Sequence, residues 1–339
     1  MIDLRSDTVT RPTKEMLEVM FSSPVGDDVF GDDPSVNELE EKAARLFNTD
    51  SALFCPSGTM CNQITIKAHT NPGDEIICDR LSHIYNYETG GFAYNSGVSI
   101  RLINGDRGRF ESSDVLNNIN PDDVHYPVTS LVIIENTCNK GGGSIWDFNK
   151  INSISAVCAK NNLKIHLDGA RLFNALIETG KNPEQFGSLF DSISICLSKG
   201  LGAPVGSILI GNANFIKKAR RIRKVFGGGM RQAGYLAAAG IYALDNNIDR
   251  IIEDHRRARI LGKTLMNLKY VKNLEPVDSN IIIFTLSSKY STSEFIDILK
   301  RKNILALALD EKLIRMVTHL DFNDKMLDEV INVLNLFER

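Results

Sequence analysis

Two short apolar segments of the sequence each lead into a charged residue. The segment 164–167 is followed at once by Asp168, and the segment 192–197 is followed one residue later by Lys199. We predict that both segments are strands. Ligands of open α/β sheets lie beyond the carboxyl ends of parallel strands, so both side chains are expected in one crevice.

An aspartate and a lysine in one crevice suit pyridoxal 5'-phosphate (PLP). The amine of Lys199 would form a Schiff base with the cofactor aldehyde, and Asp168 would keep the pyridine nitrogen protonated so that the ring accepts electrons. The two residues alone also fit a salt bridge between strand ends that does no chemistry. Both interpretations remain open at this point.

A third segment has the composition of a phosphate site. The predicted strand 51–54 is followed by Ser57, Gly58 and Thr59 and then by an apolar helix. Backbone N–H groups and the dipole of a helix N-terminus favour an anion, and a hydroxyl adds a donor. Neither GxxxxGK[ST] nor GxGxxG is present, which disfavours a nucleotide-binding protein. The alternative is a capped helix without a ligand.

His83 and a glycine-rich loop add candidates at the same edge of the sheet. His83 comes just after the predicted strand 75–79, where its flat ring could stack on a planar cofactor or could instead be a core or capping histidine. The predicted strand 130–135 leads into a polar, glycine-rich loop, ENTCNKGGGSIW. Loops at carboxyl ends of strands often carry functional residues.

Composition and charge exclude several classes of protein. The 339 residues are 43% hydrophobic and 24% charged with a net charge of −3, which offers no basic surface to nucleic acid or anionic membrane. The charged start and the absence of an apolar run of bilayer length predict neither a signal peptide nor a membrane span. Six cysteines without CxxC pairs predict reduced, buried thiols in a cytoplasmic protein. The six histidines form no HExxH pattern, and no metal site is predicted.

Alternating strand and helix signals predict an α/β fold with a mostly parallel, mixed sheet flanked by helices. After Lys199 the chain turns directly back into a strand with no helix between. A small C-terminal α+β domain follows, with strands at 280–286, 304–309 and 313–317. The predicted organisation is an N-terminal arm at 1–20, a large domain at 21–245 and a small domain at 246–339. An early helix is predicted to begin at a capping box of Ser35 and Glu38.

Eight motifs in a fixed order run through nearly the whole chain. They are DLRSDTVT with a following Pro12, VGDDVFGDDPSVNELE, ALFCPSGTMCNQI, SHIYNYETGG, HLDGARLFNA, SICLSKGLGAPVGS, RRIRKVFGGGMRQAG and IRMVTHLDF. In these motifs the chain resembles the low-specificity L-threonine aldolases, PLP-dependent enzymes of fold type I in the aspartate-aminotransferase superfamily.

The resemblance implies a role for each residue at the cofactor. Lys199 would be linked to PLP, Asp168 would pair with the pyridine nitrogen, and His83 would stack on the ring. Gly58 and Thr59 would bind the phosphate.

The resemblance also implies a substrate site shared between subunits. Ser6, Arg171 and Arg315 would hold the substrate carboxylate, which suits the bidentate fork of arginine, and Arg171 would also contact the cofactor. Lys224 and Arg231 would reach in from a neighbouring subunit toward the phosphate or the substrate pocket. Members of this family are homotetramers built as dimers of dimers, and the same assembly is expected here.

Two positions depart from the family pattern. Cys138 stands where a histidine is usual, so the contact with the substrate's β-hydroxyl at this position is in question. Phe30 stands where a tyrosine is common, which removes one hydroxyl.

The predicted reaction is retro-aldol cleavage of L-threonine or L-allo-threonine to glycine and acetaldehyde, with other β-hydroxy-α-amino acids accepted. The candidates for the base are His83, a water held by the cofactor phosphate, and the thiolate of Cys138. The alternatives are a phenylserine-like aldolase, a β-eliminating lyase, and a catalytically silent PLP-binding protein.

Overall fold

The computed structural model describes residues 1–337, which form thirteen strands and fourteen α-helices. The strands are β1 (Ile2–Asp3), β2 (Ser51–Cys55), β3 (Glu75–Asp79), β4 (Ser99–Ile103), β5 (Thr129–Glu135), β6 (Lys164–Gly169), β7 (Ser192–Cys196), β8 (Ser207–Gly211), β9 (Val271–Leu274), β10 (Ile281–Leu286), β11 (Ile304–Leu305), β12 (Leu307–Ala308) and β13 (Leu313–Val317). The helices are α1 (Lys14–Ser22), α2 (Pro34–Leu46), α3 (Gly58–His69), α4 (His83–Asn86), α5 (Gly91–Ser96), α6 (Ser112–Asn117), α7 (Phe148–Lys160), α8 (Leu172–Thr179), α9 (Pro183–Gly187), α10 (Ala213–Val225), α11 (Gly234–Asn246), α12 (Ile251–Met266), α13 (Thr292–Arg301) and α14 (Asp324–Leu336).

The large sheet has seven strands in the order β2-β8-β7-β6-β5-β3-β4. Five neighbouring strands are parallel, namely β4, β3, β5, β6 and β7. Strand β8 is antiparallel to both of its neighbours, β7 and β2. β8 follows β7 without an intervening helix, as predicted, and such a short return can only make an antiparallel pair. Strands β3, β7 and β8 are buried along their whole length because helices cover both faces. The predicted α/β class is confirmed.

The register of the parallel strands brings three strand ends together. Glu135 on β5 is paired with Asp168 on β6, and Asp168 is paired with Ser194 on β7. All three strands therefore end at the same edge of the sheet, and the residues that follow them share one crevice.

A second, antiparallel sheet in the order β12-β13-β10-β9 forms the C-terminal unit with α13 and α14. The N-terminal strand β1 pairs with β11, and Ile2 and Leu4 are buried in the core of this unit. The proposed boundaries at 20/21 and 245/246 remain predictions, and the last two residues of the segment 246–339 lie outside the described residues.

Two local predictions were wrong. The strand predicted at 304–309 is two short strands, because β11 pairs with β1 whereas β12 pairs with β13. The early helix does not begin at a capping box of Ser35 and Glu38. Its N-cap is Asp33, whose side chain accepts from the Val36 N–H, and the Ser35 hydroxyl donates instead to the carbonyl of Pro24 (2.7 Å).

All six cysteines are free and buried, as the sequence predicted. Among the described residues 1–337, no helix has the length and apolar character needed to cross a membrane.

Candidate active site

A cavity of about 190 Å³ lies where β5, β6 and β7 end and α3 begins. The structure brings six of the predicted site residues to its wall, namely Gly58, Thr59, His83, Asp168, Arg171 and Lys199. The remaining lining residues are Ser57, Asn62, Glu135, Asn139, Ala170, Cys196 and Ser198.

Lys199 and Asp168 face this cavity without forming an ion pair with each other. Asp168 is buried, and its carboxylate accepts hydrogen bonds from the side chain of Asn62 (2.8 Å) and the N–H of Ala170 (3.2 Å). Within residues 1–337, no hydrogen bond or ion pair engages the amine of Lys199. The strand-end salt bridge considered as an alternative is therefore not formed, and the amine is available to another group.

His83 is the first residue of α4, and both its backbone and its ring are held by carboxylates. Its N–H donates to Glu135 (2.7 Å), and its ring Nδ1 lies 2.9 Å from the carboxylate of Glu88. Burial alone would lower the pKa of His83, but the hydrogen bond to Glu88 and the nearby charge of Asp168 outweigh it and raise the pKa.

Glu135 is a buried acid in the cavity wall that the sequence analysis did not select. One carboxylate oxygen accepts from the His83 N–H, and the other accepts from the N–H of Asn139 (2.8 Å). Burial and the adjacent charge of Asp168 raise the pKa of Glu135 to about 7. Glu135 is the last residue of β5 and is paired with Asp168 near the end of β6, so the strand-end criterion applied to Asp168 could have found it.

Asn62 and Glu88 were also missed. Asn62 lies one helical turn after Gly58 on α3 and therefore on the same face, which is the signal that could have identified it. The ligand atoms of His83, Glu88 and Asp168 lie within 4.8 Å of one another, near enough to share a cation. In this structure the same atoms make hydrogen bonds: His83 contacts Glu88, and Asn62 donates to both Glu88 and Asp168.

The predicted anion site lies at the corner between β2 and α3. The side chain of Ser57 caps α3 by accepting from the Met60 N–H (3.2 Å). A Cβ on Gly58 would lie 2.7 Å from the sulfur of Cys196, so only glycine fits here without a shift. The free N–H groups of the first turn and the helix dipole favour a bound phosphate.

Arg171 is held by Asp7, a residue the sequence analysis passed over in favour of its neighbour Ser6. Nε and Nη2 of Arg171 donate to the two carboxylate oxygens of Asp7 at 2.6 and 2.7 Å, and both side chains are buried. Burial would raise the pKa of Asp7, but the charge of Arg171 lowers it to about 2. The Ser6 hydroxyl interacts with Thr8 and lies outside the cavity wall.

Arg315 lies behind the cavity wall and is joined to it through Asn139. Its Nη1 donates to the side chain of Asn139 (2.9 Å), and its Nη2 donates to the carbonyl of Arg5 (3.0 Å). Its Nε is buried and has no hydrogen-bond partner in the described part of the chain. Burial and the charge of Arg171 lower the pKa of Arg315. Two arginines thus lie close together beside the cavity.

Besides Ser6 and Arg315, three further predicted site residues do not line the cavity of this chain, namely Cys138, Lys224 and Arg231. Cys138 is buried in the loop after β5, where its sulfur packs against Gly108, and burial raises the pKa of its thiol well above the ordinary value. Lys224 lines a separate cavity of about 500 Å³, and Arg231 forms a 3.4 Å ion pair with Asp27. Their predicted roles remain predictions.

Solved structures of similar fold define the class of this protein. The chain superposes over its full length on Leishmania major threonine aldolase, with a TM-score of 0.87, 21% identity and 100% of both chains covered. It also matches Sphingomonas wittichii serine palmitoyltransferase with a TM-score of 0.77 and 16% identity, over 99% of this chain and 86% of that one. The fold is that of the PLP-dependent enzymes of fold type I.

Relatives of known sequence identify the family. The family profile described as "Beta-eliminating lyase" matches residues 3–288. The low specificity L-threonine aldolase of Escherichia coli (strain K12) is 41% identical over 331 residues, 97% of each chain. The probable low-specificity L-threonine aldolase 2 of Arabidopsis thaliana is 39% identical over 345 residues, 100% of this chain and 96% of the relative. This chain belongs to the beta-eliminating lyase family and, within it, to the low-specificity L-threonine aldolases.

The residues around the cavity fit PLP. The amine of Lys199 has no partner among residues 1–337, Asp168 is a buried carboxylate, and Gly58 begins a helix. These three features match the aldehyde, the pyridine nitrogen and the phosphate of the cofactor in chemical type. His83 adds a flat ring in the same wall. The cavity wall therefore carries the types of group that this cofactor requires.

Proposed function

We propose that this chain uses PLP to cleave L-threonine and L-allo-threonine, and other β-hydroxy-α-amino acids, into glycine and an aldehyde. The observation that carries the proposal is the arrangement of Lys199 and Asp168 at neighbouring strand ends beside the N-terminus of α3, in a chain 41% identical to a low specificity L-threonine aldolase.

When bound, PLP supplies an electron sink for the pair released as the Cα–Cβ bond of the substrate breaks. The amine of Lys199 would hold the cofactor through its aldehyde. Asp168 would keep a proton on the pyridine nitrogen, and the hydrogen bond from Asn62 holds its carboxylate in place.

Arg171 and Arg315 are proposed to bind the substrate carboxylate. Asp7 uses Nε and Nη2 of Arg171, so that Nη1 is the end of the guanidinium left for the substrate. Asn139 orients Arg315 from the cavity wall. Two positive charges beside a cavity with an unpaired amine fit an α-amino acid.

His83 is proposed as the base that takes the proton of the β-hydroxyl. It lines the cavity, whereas the thiol of Cys138 is buried outside it and is kept protonated by its raised pKa. A water held by the cofactor phosphate is the alternative base. The same imidazole can return a proton to Cα before glycine leaves.

The test is to load the purified protein with PLP, record the visible absorbance of the lysine-bound cofactor, and identify the products from both threonine diastereomers. We expect glycine and acetaldehyde in equal amounts. Lys199→Ala is the matched control and should lose both the absorbance and the cleavage. Ammonia with a 2-oxo acid would instead show β-elimination, cleavage confined to phenylserine-like substrates would show the narrower aldolase, and cofactor absorbance without turnover would show a silent PLP-binding protein.

We further propose that the active unit is a homo-oligomer, expected as a dimer of dimers, in which Lys224 and Arg231 act on the site of a neighbouring chain. Lys224 lines a separate surface cavity together with Val29 and Gly229. Phe30 and Val225, adjacent in sequence to these residues, are each 78% exposed, and apolar side chains exposed together favour an interface. A second copy covering this surface would bury them.

The cellular setting follows from the products and the cysteines. Cleavage of threonine to glycine belongs to threonine breakdown and glycine formation. Six free, buried thiols fit a reducing compartment, and we propose the cytoplasm.

A further inference from the structure

Glu88 is a fully buried carboxylate in contact with Nδ1 of the His83 ring. It follows the short helix α4, and its side chain has no exposed surface. Three N–H donors surround it. One oxygen lies 2.9 Å from Nδ1 of His83 and 2.8 Å from Nδ2 of Asn62, and the other accepts from Nε2 of Gln63 at 2.7 Å.

No lysine or arginine in the described part of the chain pairs with Glu88. Burying a carboxylate without such a partner is costly unless several hydrogen bonds compensate. Here two amides and an imidazole provide them. Among residues 1–337, His83 is the only titratable side chain that hydrogen-bonds to Glu88.

We propose that Glu88 is a positioning residue that fixes the tautomer and the ring orientation of His83 and couples this base to Asp168 through Asn62. The inference rests on the proposed function, because it takes His83 as the group that accepts the β-hydroxyl proton.

The tautomer follows from the chemistry of the two partners. In this proposal Glu88 acts as a carboxylate, which can only accept a hydrogen bond, so Nδ1 of His83 carries a proton. Nε2 then keeps its lone pair and is the nitrogen that can take a proton from the substrate. Without Glu88, neutral His83 would divide between two tautomers, and only one of them has a lone pair at Nε2.

The coupling follows from the position of Asn62 between two acids. Its Nδ2 donates both to Glu88 and to Asp168, each at 2.8 Å. Its oxygen accepts from the hydroxyl of Ser194 (3.1 Å) and lies 3.2 Å from Nε2 of His166, which fixes the amide so that nitrogen faces the two carboxylates. The amide of Asn62 therefore orients both Asp168, which would hold the pyridine nitrogen, and Glu88, which holds the proposed base His83.

The pH dependence of His83 reflects more than one charged group. Glu88, Asp168 and Glu135 all raise its pKa, against the effect of burial. The other titratable groups near the ring are Tyr87, with ring centroids 5.5 Å apart, and Lys199 and Arg171 in the wall of the same cavity.

The test is Glu88→Gln, which keeps the size of the side chain but removes its charge and one acceptor oxygen. Nuclear magnetic resonance of the PLP-loaded protein carrying isotopically labelled histidine reports the tautomer and the titration of His83, whose signal is assigned by its loss in His83→Asn. In the wild type we expect the proton on Nδ1. In Glu88→Gln we expect the midpoint of the titration to fall and the Nε2–H tautomer to appear.

The kinetic readout is the pH profile of threonine cleavage. We expect kcat of Glu88→Gln to fall about 10- to 100-fold with KM little changed, and the acid limb of the profile to move to lower pH. Glu88→Asp, which restores the charge on a shorter side chain, should recover part of the lost kcat and keep the Nδ1–H tautomer. Glu75→Gln removes a buried carboxylate at the opposite end of β3, where it contacts Arg101 and Asn120, and should leave the signal of His83 unchanged.

Two outcomes would overturn the inference. One is an Nε2–H tautomer of His83 in the wild type, a measurement that needs no variant to fold. The other is an unchanged tautomer and titration midpoint in Glu88→Gln. If the wild type makes no glycine and aldehyde, the proposed function fails, but the histidine signals still decide whether Glu88 sets the state of His83.

Discussion

At the scale of single residues, the pairing of Arg171 with Asp7 shows how a buried cation is made available to a ligand. Asp7 binds Arg171 through two hydrogen bonds and also accepts from Asn280 (3.3 Å). The pair is buried, so neither charge is screened by water. The two hydrogen bonds to Asp7 therefore hold the guanidinium of Arg171 in one orientation in the cavity wall, and Nη1 does not bond to Asp7.

Replacing Asp7 by asparagine should destabilise the fold because it leaves Arg171 buried without its counter-charge. We expect Asp7→Asn to lower the free energy of unfolding at neutral pH by about 3–5 kcal/mol, measured by urea denaturation. The matched control is Asp3→Asn, which removes a partly exposed ion pair with Arg5 and should cost less than about 1 kcal/mol. Equal stability of Asp7→Asn and wild type would contradict the role of this pair.

The same pair predicts a pH window for the loss of stability. The pKa of Asp7 in the folded chain is lowered from 3.8 to about 2, so the folded state binds this proton less readily than the unfolded state. The resulting stabilisation, roughly 2 kcal/mol, is complete above pH about 4 and is lost as pH falls toward about 2. The difference in unfolding free energy between wild type and Asp7→Asn should shrink over this range, and a constant difference would argue against it.

At the scale of elements, the corner from β2 into α3 combines local sequence with a distant contact. Ser57 caps the helix as its residue type predicts, but the need for glycine at position 58 comes from Cys196, at the end of β7. The backbone of the first turn can approach an anion only because no side chain stands there.

Replacing Gly58 by alanine should weaken cofactor binding. Its Cβ would meet the sulfur of Cys196 at 2.7 Å, and overpacking of this kind costs about 1–3 kcal/mol, or roughly 5- to 150-fold in the Kd for PLP. Titration of the apoprotein with PLP measures the change. Cys196→Ala in the same chain removes the clashing atom and should recover much of the affinity, whereas Cys196→Ala alone should bind nearly as the wild type does. A double variant as weak as Gly58→Ala would rule out this contact as the cause.

At the scale of the whole molecule, the proposed sharing of sites between copies can be tested by mixing inactive chains. Lys199→Ala lacks the amine of its own site, and Arg231→Ala is proposed to impair the site of its neighbour. In a mixed dimer one site carries both defects and the other carries none. Random exchange of subunits should therefore restore activity at roughly a quarter of the sites.

The control for this experiment is each variant refolded alone, which should stay inactive. Subunit exchange is demonstrated separately. If the mixture then shows no recovery of activity, Arg231 serves the site of its own chain or no site.

The amino-acid sequence by itself determined the α/β class, most strand positions, and Asp168 and Lys199 as candidate site residues. Strand-end chemistry and apolar segments are local signals, so they can be read without knowing which strands are neighbours. The ordered motifs then gave the family, which periodicity could not. The identities of Gly58 and His83 as candidates also came from their places just after predicted strands.

Only the tertiary structure decided which side chains hold these groups in place. Asp7 meets Arg171 across 164 positions of sequence, and Asn62 meets Asp168 across 106. The split of the strand predicted at 304–309 likewise depends on β1, at the other end of the chain. Contacts between distant segments follow from how the sheets and helices pack, and no local propensity or spacing encodes them.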